Sequence, residues 1–251
     1  MLVCREVVLG EWDVKIDPDQ LGNRKSPSLA AKVTRHPAKI QVHPLFGNDS
    51  SDLSSYLSYD ISLVRLDHKI DDFFTGDSMV STITPVCLPW KSNMPGRRLK
   101  HKETKLTVMG WGATTNDEEF NSKQLEKIGA RTDRPKALEM PFVGMPTCSK
   151  EYNSKYGNWS LIGSFQWSML KLSKGLNSSI HLCAGGDLDQ DSCQGDSGSP
   201  LSYKEQNSDD NSPWYQVGIV SYGTPECAIG LPGVYTNVVQ LIPWIYNAMD
   251  P

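Results

Sequence analysis

Asp191 to Pro200 reads D-S-C-Q-G-D-S-G-S-P and gathers hydroxyls, two carboxylates and one thiol into a stretch rich in small residues. Ser197 sits between Asp196 and Gly198, four residues after Cys193. A serine that acts as a nucleophile needs an exposed Oγ and backbone N–H groups aimed at a developing oxyanion. Gly195 and Gly198 permit the tight turn this requires, because a side chain at either would restrict the backbone. Ser197 is therefore the candidate nucleophile, and its hydroxyl needs a base beside it at neutral pH. A second acid, Asp60, opens the apolar alternating run D-I-S-L-V-R-L. A carboxylate there is costly unless something pairs with it.

The stretch around Ser197 resembles the active-site loop of the trypsin-like (chymotrypsin-fold) serine endopeptidases. The resemblance extends along nearly the whole chain, through L-G-E-W-D (9–13), H-P-L-F (43–46), Y-D-I-S-L-V-R-L (59–66), I-T-P-V-C-L-P (83–89) and L-T-V-M-G-W-G-A (106–113), in family order. It implies that Ser197 is the nucleophile, Asp60 the acid that orients a histidine, and the N–H groups of Gly195 and Ser197 the oxyanion hole. It also implies that Asp191 forms the floor of a primary specificity pocket, where a carboxylate pairs with Arg or Lys of a substrate. Ser192 would line that pocket, Gly223 and Gly233 would leave its walls open, and Ser221-Tyr222-Gly223 would pair with the substrate backbone as an added strand. Ser199, L-G-E-W-D and D-P-D (17–19) resemble the arthropod clip-domain cascade proteases within the family.

The resemblance further implies two disulfides, Cys193 with Cys227 and Cys148 with Cys183. It gives Cys87 the place of a cysteine that ties the domain to an upstream segment, and gives Cys4 no partner. Glu11 and Asp13 fall in a loop where some relatives hold calcium through oxygen ligands; a solvated acidic loop is the expectation, with no metal and no cofactor. The expected partners are a protein substrate with Arg or Lys at the cleavage site, a serpin-type inhibitor and an upstream protease.

The chain departs from the family in two places. No Ala-Ala-His-Cys stretch precedes Asp60, and of the five histidines only His36 and His43 lie before it, each followed by proline. No Ile-Val-Gly-Gly-type start is present to give Asp196 an amine partner, so the oxyanion hole is expected to stay unformed. These gaps suggest a chain that lacks its beginning and is inactive as given. The other reading is a non-catalytic homologue that binds Arg- or Lys-bearing loops or acts as a cofactor protein.

The elements that must position these residues are mostly short strands. Val7–Leu9, Ile40–Val42, the alternating Ile61–Leu66, Leu106–Ala113, Gly218–Gly223 and Gly233–Val238 read as strands, and Val239–Met249 has apolar residues at helical spacing. Lys150–Ser179 reads as a surface insertion and Lys204–Ser212 as a charged loop. The fold expected is all-β: two packed six-stranded antiparallel barrels, the first incomplete, with a C-terminal helix. Residues 1–95 would supply the partial first barrel, 96–238 the linker and second barrel, and 239–251 the helix and tail.

A chain of 251 residues can bury a sizeable core, and a net charge of −4 gives no reason to expect nucleic acid or a membrane surface as partner. No apolar run reaches the roughly 20 residues of a membrane span, and the first residues do not read as a signal peptide. The six cysteines form no C-x-x-C pair, which suits long-range disulfides in an oxidising compartment. Three N-x-S triplets, at Asn48, Asn158 and Asn177, agree with a secreted, extracellular protein.

Overall fold

The computed structural model describes residues 4–11, 14, 33–47, 57–70, 83–90, 99, 104–113, 132–156, 176–188, 190–204, 212–224 and 227–249. Ten strands and two helices are assigned among them: β1 (Val7–Leu9), β2 (Val33–Arg35), β3 (Pro37–Val42), β4 (Ser62–Leu66), β5 (Lys105–Gly110), β6 (Lys136–Val143), α1 (Met145–Tyr156), β7 (His181–Gly185), β8 (Pro200–Tyr203), β9 (Tyr215–Tyr222), β10 (Pro232–Asn237) and α2 (Val238–Met249). Six strands close a barrel in the order β10-β7-β6-β5-β8-β9, every pairing antiparallel. The N-terminal strands pair as two separate two-stranded sheets, β1-β2 and β3-β4. The closed six-stranded barrel and the C-terminal helix are as expected; among the described residues the N-terminal strands form two-stranded pairs.

The barrel core follows from period-two patterning. In β5, Leu106 and Val108 point inward, with Lys105 and Met109 outward. Met140, Leu182, Ala184, Leu201, Val217, Val220 and Tyr235 complete the same cluster. Helix α2 lays Val238, Leu241, Ile242 and Ile245 against Ile61, which joins the N-terminal half of the chain to the barrel. Asn237 Oδ1 accepts the Gln240 N–H and caps its start.

Helix α1 was not expected, and its second half occupies the start of the stretch read as a surface insertion. Its Met145, Cys148 and Tyr152 are spaced three and four apart and pack beside Cys183 and Val234. Pro146, at the second helical position, suits a helix start. The Cys148–Cys183 disulfide fastens α1 to β7, and Cys193–Cys227 joins the loop before Ser197 to the loop before β10, both as expected. With separations of 35 and 34 residues, each cross-link is worth about 3–4 kcal/mol by loop-closure entropy. Cys4 and Cys87 are exposed free thiols.

Leu201 is fully buried where β8 meets β5 and β9. Leu201→Ala is expected to cost about 3 kcal/mol, read as a lower urea midpoint at unchanged slope; a loss under about 1 kcal/mol would contradict this packing.

Candidate active site

The turn that carries Ser197 is tied down on every side by backbone hydrogen bonds. Asp196 N–H donates to Cys193 O at 3.0 Å, Ser199 N–H to Asp196 O at 2.8 Å and Gly198 N–H to Val220 O at 2.9 Å. Val220 N–H returns a bond to Ser199 O at 2.9 Å. Gly195 and Gly198 both take positive φ, +99° and +85°, which any other residue would adopt only under strain. Ser197 stands exposed at the top of this turn. The N–H groups of Gly195 and Ser197 have no acceptor among the described residues.

Asp196 has no amine beside it among the described residues, yet its carboxylate is not left bare. Oδ1 accepts the Gly112 N–H at 2.8 Å and Oδ2 the Cys193 N–H at 3.0 Å. A Cβ at Gly110 or Gly112 would overlap this carboxylate. The Gly110-Trp111-Gly112 stretch was read from the sequence only as a strand; the close approach of Asp196 is what needs its glycines.

Two cavities meet at Ser197. The first, about 260 Å³, is lined by Ser197, Asp191, Ser192, Val220, Ser221, Tyr222, Gly223 and Gly233 among others. Asp191 Oδ2 accepts the Ala228 N–H at 3.3 Å, whereas Oδ1 is buried with no hydrogen-bond partner among the described residues. Burial pushes the Asp191 carboxyl up to about 6, against the pull of the Ala228 N–H. Ser192 Oγ and Tyr235 Oη share a hydrogen bond at 3.1 Å. A Cβ at Gly233 would come within 3.3 Å of Asp191 Oδ1, and one at Gly223 would enter open space. The sequence assigned Asp191, Ser192, Gly223 and Gly233 to one pocket, and the structure brings them to one cavity.

The second cavity, about 400 Å³, is lined by Ser197, Gly198, Asp60, Val42, Phe46, Ile61 and neighbours. Asp60 reaches it from the turn before β4, where Tyr59 holds a φ of +58°. Asp60 Oδ2 accepts the Ser221 hydroxyl at 2.7 Å, and its backbone oxygen accepts the Thr236 hydroxyl at 2.8 Å. Burial raises the Asp60 carboxyl above its ordinary value, and the Ser221 bond opposes the rise. Sequence reasoning gave Ser221 a role toward a substrate backbone and missed its bond to Asp60. Only a hydroxyl at the end of an otherwise apolar strand hinted at that bond.

No described histidine lines the second cavity. His43 is buried, stacked on Tyr59 at 4.4 Å with Trp244 at 4.7 Å, and its Nδ1 accepts the Leu45 N–H. That environment lowers its basicity by desolvation. His36 is exposed, its Nδ1 within 3.1 Å of Arg5 O. His181 is buried in β7 and held down to about 4 by burial. His101 lies outside the described residues, as do Asp13, Asn48 and Asn158. Glu11 is half-buried after β1. Among the described residues no group of three or more His, Cys, Asp or Glu is placed to hold a metal ion, and no helix is long and apolar enough to cross a membrane.

A protein-family model described as Trypsin matches residues 7–245. The chain is 32% identical over 240 residues to CLIP domain-containing serine protease B4 of Anopheles gambiae, covering 95% of this chain and 52% of that protein. It is 31% identical over 246 residues to Melanization protease 1 of Drosophila melanogaster, covering 96% and 50%. Against Phenoloxidase-activating enzyme of Bombyx mori it is 34% identical over 198 residues, covering 77% and 36%. The chain spans about half the length of the first curated relatives it matches.

The raised value at Asp191 has a consequence for stability. Folding disfavours its charged form, so its contribution is neutral below the ordinary value of 3.8, becomes a penalty that builds as pH rises from 3.8 to about 6, and stays at its full size above that. Asp191→Asn is expected to stabilise the chain at pH 8 by on the order of 2–3 kcal/mol, with the gain gone by about pH 4. Thermal denaturation of both proteins across that range checks it; equal stability at pH 8 would contradict the buried carboxylate with one oxygen lacking a partner.

Proposed function

The chain belongs to the trypsin family, and we propose that its function is that of a serine endopeptidase domain cleaving after Arg or Lys, within an extracellular proteolytic cascade. The observation that carries this reading is the place of Ser197 on the shared edge of two cavities, one lined by Asp191, whose Oδ1 has no partner among the described residues, and the other bordered by Asp60. In this reading a substrate guanidinium or ammonium supplies the missing partner of Asp191 Oδ1. That places the next carbonyl carbon beside Ser197 Oγ. The Gly195 and Ser197 N–H groups, which have no protein acceptor among the described residues, receive the oxyanion. Ser197 Oγ attacks, the C–N bond breaks, and water then hydrolyses the acyl ester.

The proton of Ser197 needs a base between Oγ and Asp60, and Asp60 is set to orient one through its own bonds to Ser221 and Thr236. We assign the second cavity to that base. A second reading is favoured by the lining of this cavity, which includes no histidine among the described residues: the chain holds Arg- or Lys-bearing segments without cutting them, as a binding or cofactor protein. The cascade setting is supported by relatives whose names denote melanization and phenoloxidase activation, and an inhibitor of serpin type and an activating protease would act at this same site. The two disulfides support an oxidising, extracellular location.

Turnover decides between the readings. The protein purified from its source is expected to hydrolyse Arg and Lys anilides, not Leu anilides, and Ser197→Ala in recombinant full-length protein is expected to abolish this. If no histidine reaches the second cavity, turnover is expected to be at least about 10⁴-fold lower than with a base in place, as when a triad member is removed. Source protein that binds arginine peptides and never cleaves them would establish the binding reading instead.

Ligand binding needs no base, so the pocket is testable in the chain as it stands. Benzamidine is expected to bind, and its affinity to fall about tenfold per pH unit below about 6 as Asp191 takes a proton. Gly223→Val, whose side chain meets only open space in the protein, is expected to leave the melting temperature unchanged and abolish benzamidine binding. Retained binding in that variant, or an affinity flat between pH 5 and pH 8, would remove Asp191 and Gly223 from the pocket.

A further inference from the structure

We propose that Asn177 is an N-glycosylation site, carrying an oligosaccharide on its side-chain nitrogen. Asn177-Ser178-Ser179 is one of three N-x-S triplets in the chain and the one that falls among the described residues. All three of its residues are exposed, in the turn that leads into β7. The Ser179 N–H donates to Asn177 Oδ1 at 2.9 Å, which fixes the plane of the side-chain amide. Asn177 Nδ2 has no partner among the described residues, so the atom that would be modified is not engaged in holding the fold.

The rest of the turn is anchored without that nitrogen. Asn177 N–H donates to His181 Nδ1 at 3.2 Å, and the N–H groups of Ile180 and His181 both donate to Asn177 O. Asn237 Nδ2 donates to Ser178 O at 2.9 Å, tying the turn to the end of β10. A saccharide on Nδ2 therefore replaces no hydrogen bond. Ser178 and Ser179 border a separate cavity with Leu99, His181 and Asn237 that shares no lining residue with either cavity at Ser197. The modification thus leaves the candidate active site open.

The donor is a polyprenyl-diphosphate-linked oligosaccharide. Nδ2 bonds to the anomeric carbon, the bond from that carbon to the diphosphate oxygen breaks, and one Nδ2 proton is lost; nothing is oxidised or reduced. Transfer takes place in the secretory lumen, so the inference rests on the extracellular reading given above.

The full chain is recovered from the medium of a eukaryotic secretory host and digested after Lys and Arg. Asn177 is the sole triplet in the peptide 175–204, because Asn158 falls in 156–171. The expected result is a glycan on 175–204, converted by glycan-releasing enzyme in heavy-oxygen water to labelled aspartate at position 177. Asn177→Gln and Ser179→Ala are expected to lose it, and Ser179→Thr to keep it, with the fold and benzamidine affinity unchanged in each. Exported protein with Asn177 bare while Asn48 or Asn158 is modified overturns this site and leaves the extracellular reading standing. Retention in the cell with all three triplets bare overturns both.

Discussion

The arrangement depends on one half-buried carboxylate held by backbone. Asp196 accepts the N–H groups of Gly112, just past the end of β5, and of Cys193, at the start of its own turn. Those two bonds lock the turn to the barrel wall at the point where two glycines allow the approach. Ser197 follows directly, so its position is set by Asp196 more than by contacts of its own. The turn's remaining ties, from Gly198 and Ser199 to Val220, run to β9. Strand β9 then supplies Ser221 to Asp60, and β10 supplies Thr236. One connected chain of hydrogen bonds thus spans both halves of the sequence.

Two charges in this network lack the partners that would make them inexpensive. Asp191 has a buried oxygen with nothing to accept, and Asp60 has a hydroxyl where a cation would serve better. Both carboxyls are pushed up by burial. A stable fold gains nothing from such groups, since an apolar replacement would remove the cost. Their presence on either side of an exposed serine is what a site that receives a cationic side chain, and an imidazole beside the nucleophile, would require.

Much of this was legible in the sequence because it is local. The D-S-C-Q-G-D-S-G-S-P stretch encodes its own turn through Gly195 and Gly198, and Asp191 lies in fixed register with Ser197 within it. The β5 alternation is equally local. Helix α1 was overlooked because its apolar face is three residues wide, Met145, Cys148 and Tyr152, in a segment otherwise polar. The Ser221–Asp60 bond joins residues 161 apart, and the contacts of Asp196 depend on how β5 passes the turn. The sequence led to an unformed oxyanion hole for want of an amine at Asp196, and it held no sign of the two backbone N–H groups that meet that carboxylate. Such pairings are set by barrel closure, which no short stretch records. His43 lies just past the end of β3, buried against Tyr59 and Trp244, which keeps it away from Ser197.

In the function proposed, Ser197 sits where a basic side chain on Asp191 would deliver the next carbonyl. A crystal structure of the chain with a peptide ending in arginine aldehyde measures this most directly. The account predicts the guanidinium within hydrogen-bond reach of Asp191 Oδ1, the aldehyde carbon beside Ser197 Oγ, and its oxygen facing the Gly195 and Ser197 N–H groups. An arginine bound elsewhere, with Asp191 Oδ1 still unpaired, would contradict it.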